Sequence, residues 1–299
     1  MNSDYKLRGM AGKEQFRWFA VKSSETAQKA RDLHDLSPIS TLLMSRMLSA
    51  AAMLAWDLKH PNSELTLQIE GDGPLAGALV IASAAGNLKG YVKQPQLFLS
   101  SAEDNFAVGK ALGKGTLRLI RNEPGKQAYT GTTQLVSGEI AEDIAFYFHQ
   151  SEQVPTAVNL GILIDQTAKV RSAGGFIIQQ MPFADPKLAD IINDNLAGTP
   201  NISDLMDMGY CLEDILSRFV FKGLDWQTRD SQQISYTCNC SRERFSRALL
   251  LLGENELASM REGIKPVCHF CNREYHFSPA DVESLITELQ TRASIKEAK

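Results

Sequence analysis

Cys238-Asn-Cys240 and Cys268-His-Phe-Cys271, separated by 27 residues, decide how the C-terminal part of this chain folds. In an extended segment, residues i and i+2 point to the same side, so Cys238 and Cys240 can present both sulfurs to one ion. The second pair, within Val267-Cys-His-Phe-Cys271, has the spacing of a knuckle, a tight turn that brings two thiolates together. Two pairs on separate elements give four soft ligands, Cys238, Cys240, Cys268 and Cys271. That set suits one tetrahedral Zn²⁺ per chain in a closed site with no open position. His269 and His276 are alternative ligands, although a surface or hydrogen-bonding role suits each of them better. Four thiolates around Zn²⁺ leave a local charge of −2, and Arg242, Arg244, Arg247 and Arg273 are close enough in sequence to offset it. A thioredoxin-like reading of Cys268 and Cys271 lacks the βαβ pattern such a motif needs.

The segments around the cysteines predict a small domain over residues 231–299. Gln233–Thr237 reads as a short strand, and Ser241–Leu252 as a helix with Phe245, Leu249 and Leu252 on one face. Tyr275–Phe277 reads as another short strand. Ser278-Pro279-Ala280-Asp281 then supplies an N-cap, a first-turn proline and a capping-box acid. Val282, Leu285, Ile286 and Leu289 form the apolar stripe of a closing helix. A domain this small has little core of its own. Structural zinc contributes roughly 10–16 kcal/mol of folding free energy in small peptides, so loss of the ion should unfold it. Thiolates are also the species that oxidants attack, which makes the site a candidate oxidant sensor.

Upstream, residues 184–230 carry 4 basic and 9 acidic side chains. They read as short helices, Lys187–Leu196, Ile202–Met208 and Leu212–Phe219, broken by Gly198-Thr-Pro200 and Gly209. Helices of two or three turns are not stable without tertiary packing. This acidic segment is therefore a linker that depends on docking. Its Cys211 reads as a free thiol.

Residues 1–183 read as an α+β domain with a largely antiparallel sheet. Glu64–Glu70 alternates cleanly, and Gly77–Ala82 is continuously apolar. Gly115–Arg121, Gln127–Val136, Ala157–Ile164 and Gly175–Gln180 are further strand candidates. Pro38–Lys59 reads as a core helix, and Glu139–Gln150 as an amphipathic one.

The whole chain, at 299 residues, 43% hydrophobic and 22% charged, has an ordinary globular composition. No apolar run is expected to reach the roughly 20 residues that span a bilayer. The first residues show no signal-peptide pattern, so the expected location is cytoplasmic. Without export, clustered cysteines point to metal or redox chemistry rather than a disulfide framework. No segment is basic enough to follow a phosphate backbone by charge, so no nucleic-acid partner is expected. Gly71-Asp-Gly-Pro-Leu-Ala-Gly77 imitates a dinucleotide fingerprint with its third glycine one place late. Gly109-Lys-Ala-Leu-Gly-Lys-Gly-Thr116 imitates a phosphate loop without the required Gly-Lys-Thr. Glu139, Glu142, Asp143 and Glu152 read as a solvated helix face rather than an acid–base pair. Met44, Met47 and Met53 read as core packing. No active site emerges, and the chain is not expected to be an enzyme.

Tyr236-Thr-Cys-Asn-Cys-Ser-Arg-Glu-Arg-Phe245 and Val267-Cys-His-Phe-Cys-Asn-Arg-Glu-Tyr-His-Phe277 closely resemble the thirty-three-kilodalton heat-shock protein family, the bacterial redox-regulated holdase chaperones. The resemblance extends to Ser45-Arg-Met-Leu-Ser-Ala-Ala-Ala52, Glu70-Gly-Asp-Gly-Pro-Leu75, Ser137-Gly-Glu-Ile-Ala-Glu-Asp143, Ser151-Glu-Gln-Val-Pro155 and Ala173-Gly-Gly-Phe176. It implies an ATP-independent chaperone, poorly active when reduced and zinc-bound. Oxidation would form the disulfides Cys238–Cys240 and Cys268–Cys271, release zinc and disorder the linker. Newly exposed apolar surface would then hold unfolding client proteins under oxidative and heat stress, and the active form would be a homodimer. Two features depart from the family pattern. The interval between the pairs is a few residues short, with a compact turn at Arg261-Glu-Gly-Ile-Lys-Pro266, and Cys211 is additional. Two rival readings are a constitutive structural-zinc protein that binds RNA or another partner, and a thiol–disulfide oxidoreductase using Cys268 and Cys271.

Overall fold

Alternating segments and continuously apolar ones both build sheets in the computed structural model, which describes residues 4–99 and 107–297. The chain divides after Thr237 into two units. The first begins with a hairpin of β1 (Tyr5–Ala11) and β2 (Phe16–Lys22), followed by helices α1 (Ser24–His34) and α2 (Pro38–Leu54). Then come β3 (Glu64–Gly71), β4 (Gly77–Ser83), β5 (Asn87–Val92), α3 (Val108–Leu112), β6 (Gly115–Asn122), β7 (Tyr129–Gln134) and α4 (Ala141–Tyr147). β8 (Thr156–Ile164) and β9 (Val170–Gln180) precede helices α5 (Pro186–Ala197), α6 (Ile202–Asp207) and α7 (Leu212–Ile215). Two strands close the unit, β10 (Trp226–Gln233) and β11 (Ser235–Tyr236).

One sheet runs β10-β1-β2-β9-β8 and the other β11-β5-β4-β3-β6-β7. Every pairing is antiparallel except β11 with β5. This is the mixed α+β, largely antiparallel arrangement expected from the sequence. α2 touches strands of both sheets and is buried along nearly its whole length. The window Pro38–Asp57 is in fact long and apolar enough to cross a bilayer, contrary to the sequence reading, but 89% of it is buried inside the protein. Its hydroxyl side chains are satisfied, Ser40 by the Gln94 carbonyl at 2.8 Å and the other three within the helix. Thr41, Ser45 and Ser49 donate to the carbonyls of Ser37, Thr41 and Ser45 at 2.9, 2.7 and 2.9 Å. A helix apolar on all sides belongs in a core.

The outer face of the first sheet is also apolar. Leu7, Phe16, Trp18, Ala20, Phe176 and Ile178 are buried there with Ile192 of α5, Leu205 and Met206 of α6, and Leu212 and Ile215 of α7. Leu216, Val220 and Phe221, in a wide helical turn after α7, complete this second core. The acidic helical segment thus docks on a sheet. The boundary expected at residue 231 moves, because β10 runs through it. Ser231 pairs with Leu7 and Gln233 with Tyr5, so residues 226–236 are strands of the first unit.

The second unit, Cys238–Lys299, contains α8 (Arg242–Leu250), α9 (Glu254–Ser259) and α10 (Pro279–Glu297). Among the described residues its core is Leu249, Leu250, Leu257, Phe277, Val282, Leu285 and Ile286. Leu289 packs against it, as the stripe predicted, but Leu252 is exposed because α8 ends two residues earlier. The expected strand at Tyr275–Phe277 is reduced to isolated bridges, Ile264 with Phe277 and Val267 with Glu274. The cap of α10 forms as predicted: the Asp281 N–H donates to Ser278 Oγ, and the Asp281 carboxylate accepts from the Ser278 N–H at 2.8 Å.

Candidate metal centre

Cys238 and Cys240 follow β11 directly, in the segment leading to the Ser241 N-cap of α8. Cys268 and Cys271 sit in a tight turn. The Cys271 and Asn272 N–H groups both donate to the Cys268 carbonyl, at 3.3 and 2.8 Å, and the Cys268 N–H donates to the Arg273 carbonyl at 2.9 Å. Asn272 adopts left-handed backbone, φ +54°, which asparagine tolerates better than most residues. This is the knuckle read from the spacing.

All four sulfurs lie within 4.8 Å of one another. Cys238 Sγ is 3.7 Å from Cys268 Sγ, and Cys240 Sγ is 3.4 Å from Cys271 Sγ. Tetrahedral zinc with bonds of about 2.3 Å separates its sulfurs by about 3.8 Å, so the donor set fits that ion in spacing and in softness. Neither His269 nor His276 belongs to the cluster. Cys211, a residue of the first unit, is also outside it. Its thiol donates to Asp214 Oδ2 at 3.2 Å and caps α7.

The four thiols are not equivalent. Burial pushes Cys238 up to about 12. Burial acts in the same direction on Cys240, but hydrogen bonds from Tyr275 and the neighbouring thiols outweigh it and bring Cys240 down to about 7. Burial also raises Cys271. A divalent cation would reverse this balance, since a coordinating thiol is deprotonated outright. Tyr275, which the sequence reading missed, donates its hydroxyl to Cys240 Sγ at 3.1 Å. Arg273 faces the same group, its charge favoured by Tyr275 and then by Cys240 and Cys271. Arg242 serves elsewhere. It pairs with Asp281 at 2.9 Å and lies over the Phe277 ring, joining α8 to α10.

The motifs set aside on sequence grounds have structural explanations. The two glycine-rich segments pack on each other: the Gly73 and Leu75 N–H groups donate to the Leu112 and Ala111 carbonyls at 2.8 and 3.0 Å. A Cβ on Gly71 or Gly73 would collide with that backbone. Of the four acids, Asp143 is fully buried rather than solvated. Its carboxylate gathers the N–H groups of Val136, Ser137, Gly138 and Ile140. Glu139 pairs with Arg46 at 2.6 Å and Glu152 with Arg121 at 2.9 Å. These acids hold a loop and two cations in place.

The sequence profile of the family described as "Hsp33 protein" matches residues 4–278. The chain belongs to the Hsp33 family. Proteins named 33 kDa chaperonin are similar over nearly their whole length. The one from Desulforamulus reducens is 38% identical over 97% of this chain and 99% of its own. That from Ruminiclostridium cellulolyticum is 39% identical over 95% and 98%. The crystal structure of the 33 kDa chaperonin (heat shock protein 33 homologue) from Thermotoga maritima superposes with a TM-score of 0.86 at 32% identity. It covers 96% of this chain and 99% of that one. The Hsp33 fold and the four-cysteine cluster are therefore found in one chain.

Proposed function

We propose that this chain is a redox-regulated, ATP-independent holdase chaperone of the cytoplasm. In the reduced state, Cys238, Cys240, Cys268 and Cys271 would hold one Zn²⁺, which supplies cross-linking of the two cysteine pairs. The observation that carries the reading is the spacing of the four sulfurs in a unit with so small a core. Such a unit depends on its ion for stability.

A peroxide would take two electrons from each cysteine pair. One S–S bond forms per pair, and each peroxide leaves as two waters after taking up two protons. Disulfides Cys238–Cys240 and Cys268–Cys271 are the pairing proposed, each closing a very short loop. The separations of 3.7 Å for Cys238–Cys268 and 3.4 Å for Cys240–Cys271 cross between these pairs. In a tetrahedral set all six separations are similar, so distance favours none. Oxidised sulfurs no longer hold the ion, and the unit loses its main support.

The apolar face beneath α5, α6 and α7 supports the second half of the reading. If those short helices undock, Trp18, Phe176 and Ile178 become available to unfolding clients. Homodimerisation of the oxidised form, proposed on family grounds, would enlarge that surface. The mutual packing of the two glycine-rich segments agrees with a mechanism that uses no nucleotide.

The test compares reduced, zinc-loaded protein with peroxide-treated protein at mildly raised temperature, using light scattering of a thermally unfolding client and disulfide mapping by peptide mass. Suppression by the oxidised form alone, with the two predicted disulfides, is the expected result. Equal suppression by both forms would favour a constitutive zinc-stabilised protein.

A further inference from the structure

Between the docked helices and Cys238 the chain passes from the edge of one sheet to the edge of the other, through β10 and then β11. Most β10 side chains are exposed. That strand is held by its ladder with β1 and by exposed ion pairs, Arg8 with Asp230 and Arg229 with Glu14, which contribute little. β11 is held differently. Tyr236 is 1% exposed, and three of its hydroxyl's partners lie among the described residues. These are the Gly90 carbonyl at 2.7 Å, the Gly90 N–H at 3.1 Å and His34 Nε2 at 3.0 Å. A phenol has one hydrogen and two lone pairs. Donation to the Gly90 carbonyl leaves both lone pairs to accept, so His34 donates from Nε2. The group is fully satisfied, and removing the hydroxyl would orphan polar atoms in the core.

From Tyr236 a continuous set of contacts leads back to the helices. Ile234 is buried in the main core, and its N–H donates to the Asp4 carbonyl. β10 follows, and its first residue, Trp226, stacks on Phe221 and meets Trp18 edge-on. Phe221 ends the turn after α7.

We propose that Tyr236 is a latch between the four-cysteine unit and the linker helices. While its hydroxyl is bound, loss of order beyond Cys238 stops at β11. When it is released, β11 and β10 peel from their sheet edges, Trp226 leaves Phe221, and the helices over residues 186–221 undock. The biological meaning of that release rests on the holdase reading; the latch itself is tested without it.

The experiment uses the full reduced, zinc-loaded chain carrying Tyr236→Phe, with no oxidant and no client. Zinc content is measured with amide hydrogen exchange by mass spectrometry. Exchange over 186–221 should rise ~10-fold or more, while β3 and β4 keep wild-type rates and zinc stays at one per chain. Wild-type exchange over 186–221, or a uniform rise that includes β3 and β4, would overturn the latch. If Tyr236→Phe does not fold, His34→Leu, which has no donor, removes one of the three bonds and should show the same regional pattern with a smaller rise. In a separate assay with a thermally unfolding client added, a variant that shows the regional rise but no suppression of aggregation would keep the latch and contradict the holdase reading.

Discussion

Tyr275 Oη lies 3.1 Å from Cys240 Sγ and donates a hydrogen bond to it, which against the upward pull of burial, and together with the neighbouring thiols, brings this sulfur down to about 7. A phenol that binds the thiolate form also lowers its reactivity and orients it toward a metal. Tyr275→Phe removes that donor and leaves the ring that packs on Phe245, 4.8 Å away between centroids. Partners of this kind are worth ~10–100-fold in metal affinity. Competition with a chromogenic chelator should show weaker zinc binding within that range and faster loss under peroxide. Unchanged affinity would mean that the hydrogen bond is incidental.

Cys268 is the buried member of the cluster. In the proposed site Cys268→Ser would replace a soft ligand with a poor one and should cost more zinc affinity than loss of Tyr275, beyond ~100-fold. The second unit should then lose its helical circular dichroism at temperatures the wild type withstands. Cys211→Ser, outside the cluster, should keep full zinc content.

The docked helices give a third expectation. Phe221 is 1% exposed, with its ring centroid 6.0 Å from that of Trp18 and 6.3 Å from that of Trp226. Phe221→Ala leaves a cavity worth about 3–5 kcal/mol at this seam. Limited proteolysis within residues 186–221 should accelerate, and the reduced protein should suppress client aggregation without oxidant while retaining zinc. Accelerated cleavage with no gain in suppression would separate the helices from client binding, and unchanged cleavage would show that Phe221 does not hold them.

Lys6 makes stability depend on pH. Its ammonium is buried, donates to the Ala52 carbonyl near the end of α2 at 3.0 Å and lies over the Trp56 ring. Burial and then the Arg8 charge lower its pKa from 10.5 to about 7. Across that window the unfolded chain holds a proton that the folded chain does not, so stability rises with pH between those values. Below about 7 both states carry the proton and the dependence vanishes. Urea midpoints of wild type and Lys6→Met should therefore diverge in slope between pH 7 and 10, with the steeper rise in wild type. Parallel profiles would show that Lys6 keeps an ordinary pKa.

The same lysine shows why parts of the fold were hidden in the sequence. β1 alternates poorly because Lys6 points inward, and β2 is buried on both faces from Trp18 to Val21, so neither looks like a half-buried strand. α1 buries only small or polar side chains, Thr26, Ala27, Ala30 and His34, and has no apolar stripe. By contrast, β3 and β4 appeared close to their final limits because their alternation or continuous apolarity is unambiguous. The cysteine cluster was legible because its two pairs are local and their spacing is chemical. Its surroundings were not. Tyr275 reaches Cys240 across 35 positions, and Tyr236 reaches Gly90 across 146. Such contacts leave no periodic trace. The boundary at 231 was misplaced for a related reason: β10 is polar and exposed, and only its pairing with β1 makes it part of the first unit.

The central claim is that one chemical event, oxidation of the four cysteines, switches the chaperone on. A peroxide titration of the zinc-loaded chain tests it most directly, with released Zn²⁺ and suppression of client aggregation read from the same samples at mildly raised temperature. The two curves should share a midpoint, and both should reverse when a dithiol reductant and zinc are returned. Suppression that appears while zinc is still bound, or zinc released without any suppression, would contradict the account.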